Sequence, residues 1–143
     1  MPIYPIHLST YKTKPDGYPA ELNTIGDHIK KRRLDLELSK AKLAQQLNLN
    51  VLTITEWETN VKRPLISSMP KIVSFLGYVP LIGVDKNSLR GHVLSYRMTH
   101  GLSQTKLAKM ICIDAMAIPN LEKNKNILPK YVERIEEFLF EKE

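Results

Sequence analysis

The chain repeats itself. Shifted by 64 positions, residues 24–63 lie on residues 88–127 without a gap. The identities include His28/His92, Arg33/Arg97, Leu38/Leu102, Ser39/Ser103, Lys42/Lys106, Leu43/Leu107, Ala44/Ala108, Ile54/Ile118, Glu58/Glu122 and Asn60/Asn124. The pairs Ile25/Leu89, Ile29/Val93, Leu47/Ile111, Leu49/Ile113 and Trp57/Leu121 keep apolar character. After one deleted residue, Ile72, Phe75 and Leu76 fall on Ile135, Phe138 and Leu139. A repeat of this period means two copies of one supersecondary unit. Each is so short that its core must be small, because a unit of about 60 residues buries little of its surface.

Within the repeat, residues 39–58 read as two short helices around a tight turn. Ser39 is a natural N-cap, its hydroxyl accepting from a free N–H of the first turn. Leu43, Ala44 and Leu47 recur at helical spacing and share one face. Asn48 suits a left-handed reversal. Asn50 can cap the next helix, with Ile54 and Trp57 inward. Small Ala44 lets the two helices approach closely. In the helix that precedes them, starting at Thr24, the inner stripe is Ile25, Ile29 and Leu36, with Arg33 on the same face; His28 and His92 fall on outer faces. A fourth helix spans residues 67–76, with Met69, Ile72, Phe75 and Leu76 inward, Pro70 in its first turn and Gly77 at its end. Arg33 and Glu58 are 25 residues apart, as are Arg97 and Glu122. A charge on an apolar face is costly unless paired, so each pair is expected to be a partly buried salt bridge.

Residues 1–23 are different. Pro2, Pro5, Pro15 and Pro19 exclude a long helix, and Tyr4, Tyr11 and Tyr18 fall among them. The expectation is an extended arm held on the first unit by its tyrosines, with a turn at Asp16-Gly17. The net charge of +6 favours a polyanionic partner. One cysteine, Cys112, cannot form an internal disulfide, which fits a reducing cytosol; it is expected to be a partly buried apolar filler. The N-terminus shows no secretory signal, and no apolar run approaches the roughly 18–20 residues that span a bilayer. A cytoplasmic protein with no membrane contact is therefore expected.

The pattern L-S-x-x-x-L-A-x-x-L, then T-I-T-x-W-E-x-N, K-R-P and F-L-G-Y, resembles the lambda-repressor-like (Cro/CI, XRE) helix-turn-helix family. The segment G-L-S-Q-x-K-L-A at 101–108 is similar in the second copy. The resemblance covers residues 24–143. It implies an all-α fold of two small helix-turn-helix bundles in tandem: an arm at 1–23, a first domain at 24–80, a linker at 81–87 and a degenerate second domain at 88–143. It also implies the function of a mostly bacterial and phage class: a transcriptional regulator that occupies double-stranded DNA, usually as a dimer. The base-reading positions would be Asn50, Val51, Leu52, Thr55 and Glu56. Phosphate contacts would come from Ser39, Lys40, Lys42, Lys62 and Arg63, and from Gln104 and Lys106 in copy two. Two heads would either form an intrachain pseudo-dimer on half-sites about 34 Å apart or a multiple, or copy two would mediate a homodimer.

Base readout favours Arg, Lys, Asn and Gln in bidentate geometry, and here only Asn50 qualifies. The second copy departs further. Pro119 falls inside its recognition helix, where it would remove the N–H due to residue 115 at a cost of about 3 kcal/mol, and Cys112 takes the turn position of Asn48. Residues 24–80 carry nine Lys/Arg and five Asp/Glu; residues 88–143 carry nine and seven. Copy one is therefore the expected DNA binder. Four scattered histidines give no metal spacing, and there is no glycine-rich phosphate loop or nucleophile–base set. No enzyme, no metal or cofactor, and no small-molecule site is expected. The alternative reading is a protein-interaction module, bridging or antitoxin-like, on a helix-turn-helix scaffold with little DNA specificity.

Overall fold

In a computed structural model, residues 13–141 are described; Tyr4, Tyr11, Pro2 and Pro5 of the arm lie outside them. The described residues form eight α-helices and one 3-10 turn, with no strand. In chain order these are α1 (Ile25–Asp35), α2 (Lys40–Leu47), α3 (Val51–Glu58), the 3-10 turn Ile66–Ser68, α4 (Met69–Leu76), α5 (Leu89–His100), α6 (Gln104–Ile111), α7 (Ala117–Glu122) and α8 (Pro129–Phe140).

The helix starts follow from local chemistry. Thr24 caps α1 in a reciprocal box: its hydroxyl accepts from the Asp27 N–H, while the Asp27 carboxylate accepts from the Thr24 N–H. Ser39, Ser88 and Ser103 each accept from the N–H three residues on. Pro70 and Pro129 sit in the first turns of α4 and α8, where a missing N–H costs nothing. Reversals recur at the offset of the sequence repeat. Glu37 and Gly101, Asn48 and Cys112, and Asn60 and Asn124 all have φ between 54° and 67°.

Two hydrophobic cores result. The first joins Ile29, Leu43, Ala44, Ile54, Trp57, Met69, Ile72 and Leu76. The second joins Val93, Leu102, Leu107, Ala108, Ile111, Ile118 and Ile135. The first also contains Met98 from α5. α5 packs against α4 and the 3-10 turn, and Gly101 closes on the Pro70 ring so tightly that an added Cβ would come within 3.0 Å of it. The two cores are thus welded through one helix.

Some expectations need correction. Leu36 is not part of the inner stripe of α1; it is the C-cap and 45% exposed, because α1 ends one residue earlier and the chain turns away there. Cys112 is exposed rather than a partly buried filler; it is the left-handed C-cap of α6, at the turn and outside the apolar stripe of that helix. Pro119 does not interrupt a helix. α7 begins at Ala117, so Pro119 is its third residue, where no intrahelical N–H bond is due. Residues 114–116 form a turn instead, capped by the Asp114 carboxylate accepting from the Met116 N–H. His28 and His92 are not free surface groups. Each is half-buried against an aromatic ring, Tyr78 and Phe140 respectively. Within the described part of the N-terminal segment, the Tyr18 hydroxyl donates to Asp35 at 2.9 Å.

Candidate nucleic-acid interface

The unit at 39–58 is built from its turn outward. Asn48 ends α2 in the left-handed region at φ 54°, and its N–H reaches back to the carbonyls of the last turn. The Leu49 N–H also bonds back to the Ala44 carbonyl. Asn50 then starts α3, its side-chain oxygen accepting from the Leu52 N–H at 2.9 Å. Leu43, Ala44, Ile54 and Trp57 bury the inner faces of both helices.

The far end of α3 is fixed by charge. Arg33 donates from Nε and Nη2 to the two oxygens of Glu58, at 2.7 and 2.8 Å, and from Nη1 to the Leu38 carbonyl. Arg33 is 7% and Glu58 5% exposed. A buried bidentate pair with its remaining donors satisfied meets the conditions under which burial of two charges is tolerated. Arg97 and Glu122 form the matching pair at 2.6 Å. Here Gln104 joins it, donating to Glu122 at 2.8 Å. Close approach of α1 to the end of α3 depends on Gly26: a Cβ there would lie 1.9 Å from the Trp57 carbonyl oxygen.

On the outward side of α3, Val51 is 42% and Leu52 61% exposed. The Thr55 hydroxyl donates to the Val51 carbonyl, and Asn50 spends its oxygen on the cap. Glu56 pairs with Lys62 at 3.0 Å. The reading candidates Asn50, Val51, Leu52, Thr55 and Glu56 therefore do lie together along one helix and its start, but three of them already have intramolecular partners. Among the cationic candidates, Lys42 and Arg63 are exposed and Lys40 is half-buried. Gln104 is turned toward Glu122, while Lys106 is exposed on α6. The Glu56–Lys62 pair was not foreseen from sequence, although a six-residue spacing across a helix C-terminus is its only signal.

Two short helices meeting at a left-handed turn, braced by a preceding helix and closed by a fourth, define a helix-turn-helix domain. Residues 29–84 match a family model described as Helix-turn-helix. The match and the geometry agree that this segment holds a helix-turn-helix unit. No curated protein and no solved structure matches the chain. Among the described residues no helix is long and apolar enough to cross a membrane.

Proposed function

We propose that the chain is a sequence-specific transcriptional regulator that occupies an operator through residues 39–58. The observation that carries this reading is the intact helix-turn-helix within the matched segment, with α3 presenting an open face. Lys40 and Lys42 stand at the start of α2, and Lys62 and Arg63 follow α3. Such cations position a protein on phosphate, and helix N-termini add favourable N–H groups. Readout then falls to Asn50, Val51, Leu52, Thr55 and Glu56, with the two aliphatic side chains suited to thymine methyls.

Residues 24–80 and 88–143 are two copies of one domain in this reading, and the first is the DNA-binding head. The recurring caps, left-handed turns and Arg–Glu pairs support the duplication. The shortened α7 and the turn at 114–116 support a lesser role for the second head.

The test is selection of bound duplexes from a random pool, followed by anisotropy titration across salt. Log affinity should fall with log salt at a slope near 0.9 per phosphate neutralised. Glu56→Gln should strengthen binding and steepen that slope by about one contact, because it releases Lys62 and removes a carboxylate facing phosphate. Charge reversal of Lys42 and Arg63 with unchanged affinity contradicts the reading. A protein-interaction module is the second reading, favoured by the exposure of Leu52. It predicts no salt-dependent DNA affinity at all.

A further inference from the structure

A cleft of about 600 Å³ opens where the two cores meet. Ile25 at the start of α1, Leu81 in the connector, and Leu94 and Met98 of α5 give it an apolar wall. Lys62 and Arg63, both exposed, also line it. Among the described residues no carboxylate lines it. Lys62 is engaged by Glu56, whereas Arg63 is exposed and makes no ion pair among the described residues. An apolar cavity of this size with a few convergent polar groups is the usual form of a small-molecule site.

We propose that this cleft binds an amphiphilic anion, an aliphatic chain ending in a carboxylate or phosphate, and that its occupancy weakens DNA binding. The apolar wall excludes a small hydrophilic anion as the preferred ligand, since it would leave that surface wet. The two lining cations and the lack of any carboxylate among the described lining residues exclude a cation. A chain lying along Leu81, Leu94 and Met98 places its anionic end at Arg63. The regulatory half rests on the DNA-binding reading above, because Lys62 and Arg63 are also cations offered to phosphate. A bound anion neutralises them and holds them at the cleft. The site draws on both units, Ile25 from one and Leu94 from the other, so no sequence window contains it.

The experiment titrates the full chain by calorimetry with decanoate and with decyl phosphate, below their micelle concentrations, and with decanol as the neutral control. Saturable one-to-one binding of either anion is expected, with decanol weaker by about tenfold, the equivalent of about 1.4 kcal/mol. Arg63→Ala should weaken the anion to the level of decanol. Leu94→Trp fills the cleft and should abolish binding. Circular dichroism of that variant, together with retained DNA affinity, distinguishes a filled cleft from an unfolded chain. Absence of saturable binding by both anions overturns the site, as does binding that survives Leu94→Trp. In the DNA arm, decanoate should lower the affinity of the wild type and leave Leu94→Trp unaffected. If the anion binds and DNA affinity does not change, the regulatory link is wrong and the site stands. If the chain binds no DNA, the functional reading fails and the calorimetry still decides the site.

Discussion

Arg33 shows how much one side chain can determine. It ties α1, the loop carbonyl of Leu38 and the end of α3 into one polar knot inside an otherwise apolar face. Removing one member leaves a buried charge alone. Glu58→Ala should therefore lower unfolding free energy by about 3–5 kcal/mol, measured by urea denaturation, whereas replacing both partners with apolar residues should cost much less. His28 gives a pH prediction. Burial lowers its pKa below the ordinary value, more than neighbouring Asp27 raises it, with Lys31 acting in the same direction as burial. The folded state then binds fewer protons than the unfolded state. The stability from neutral His28 is fully present above the unfolded pKa of about 6.5 and is lost as pH falls through the folded value. The melting temperature should fall between pH 7.5 and pH 5.5, and His28→Gln should flatten that interval.

At the scale of the element, the helices were largely legible because their signals are local. The caps at Ser39 and Asn50, the left-handed Asn48 and the proline in the first turn of α4 each act within one turn of the chain. Leu36 was misplaced because periodicity alone does not show that α1 stops at Asp35. Pro119 was misread because the repeat was extended too literally: a proline that breaks a helix in one frame is permitted in another that starts later. Hydrophobic pattern likewise gave no account of Glu56 with Lys62, which depends on where the chain turns after α3. Cys112 offers a direct check on turn chemistry. A non-glycine residue at φ 62° is strained. Cys112→Gly should stabilise the second unit by about 1 kcal/mol, provided the Arg134 bond to its carbonyl persists. A lower midpoint in thermal melts would contradict this.

Across the whole molecule, the sequence repeat carries no information on how the two cores join. Met98 carries no signal, since Leu34, 64 positions earlier, is only partly buried. Only the fold places Met98 in the first core, 8% exposed beside residues from α1 to α4. The cleft escaped notice for the same reason. The weld predicts a single cooperative unfolding transition by calorimetry. Met98→Ala should cost about 2–5 kcal/mol and separate the melting of the two units. A wild-type trace already split into two transitions would show that the contact transmits no stability.

That shared methionine also sets a timetable for synthesis. The first core has all its other buried members once Leu76 has left the ribosome, yet it stays incomplete until Met98 has followed. At about 5–20 residues per second, the intervening stretch takes about one to four seconds to translate. For that interval the nascent head carries an apolar opening where α5 will lie. Vectorial folding of this chain is thus a two-stage closure, in which the younger unit supplies the plug that finishes the older one.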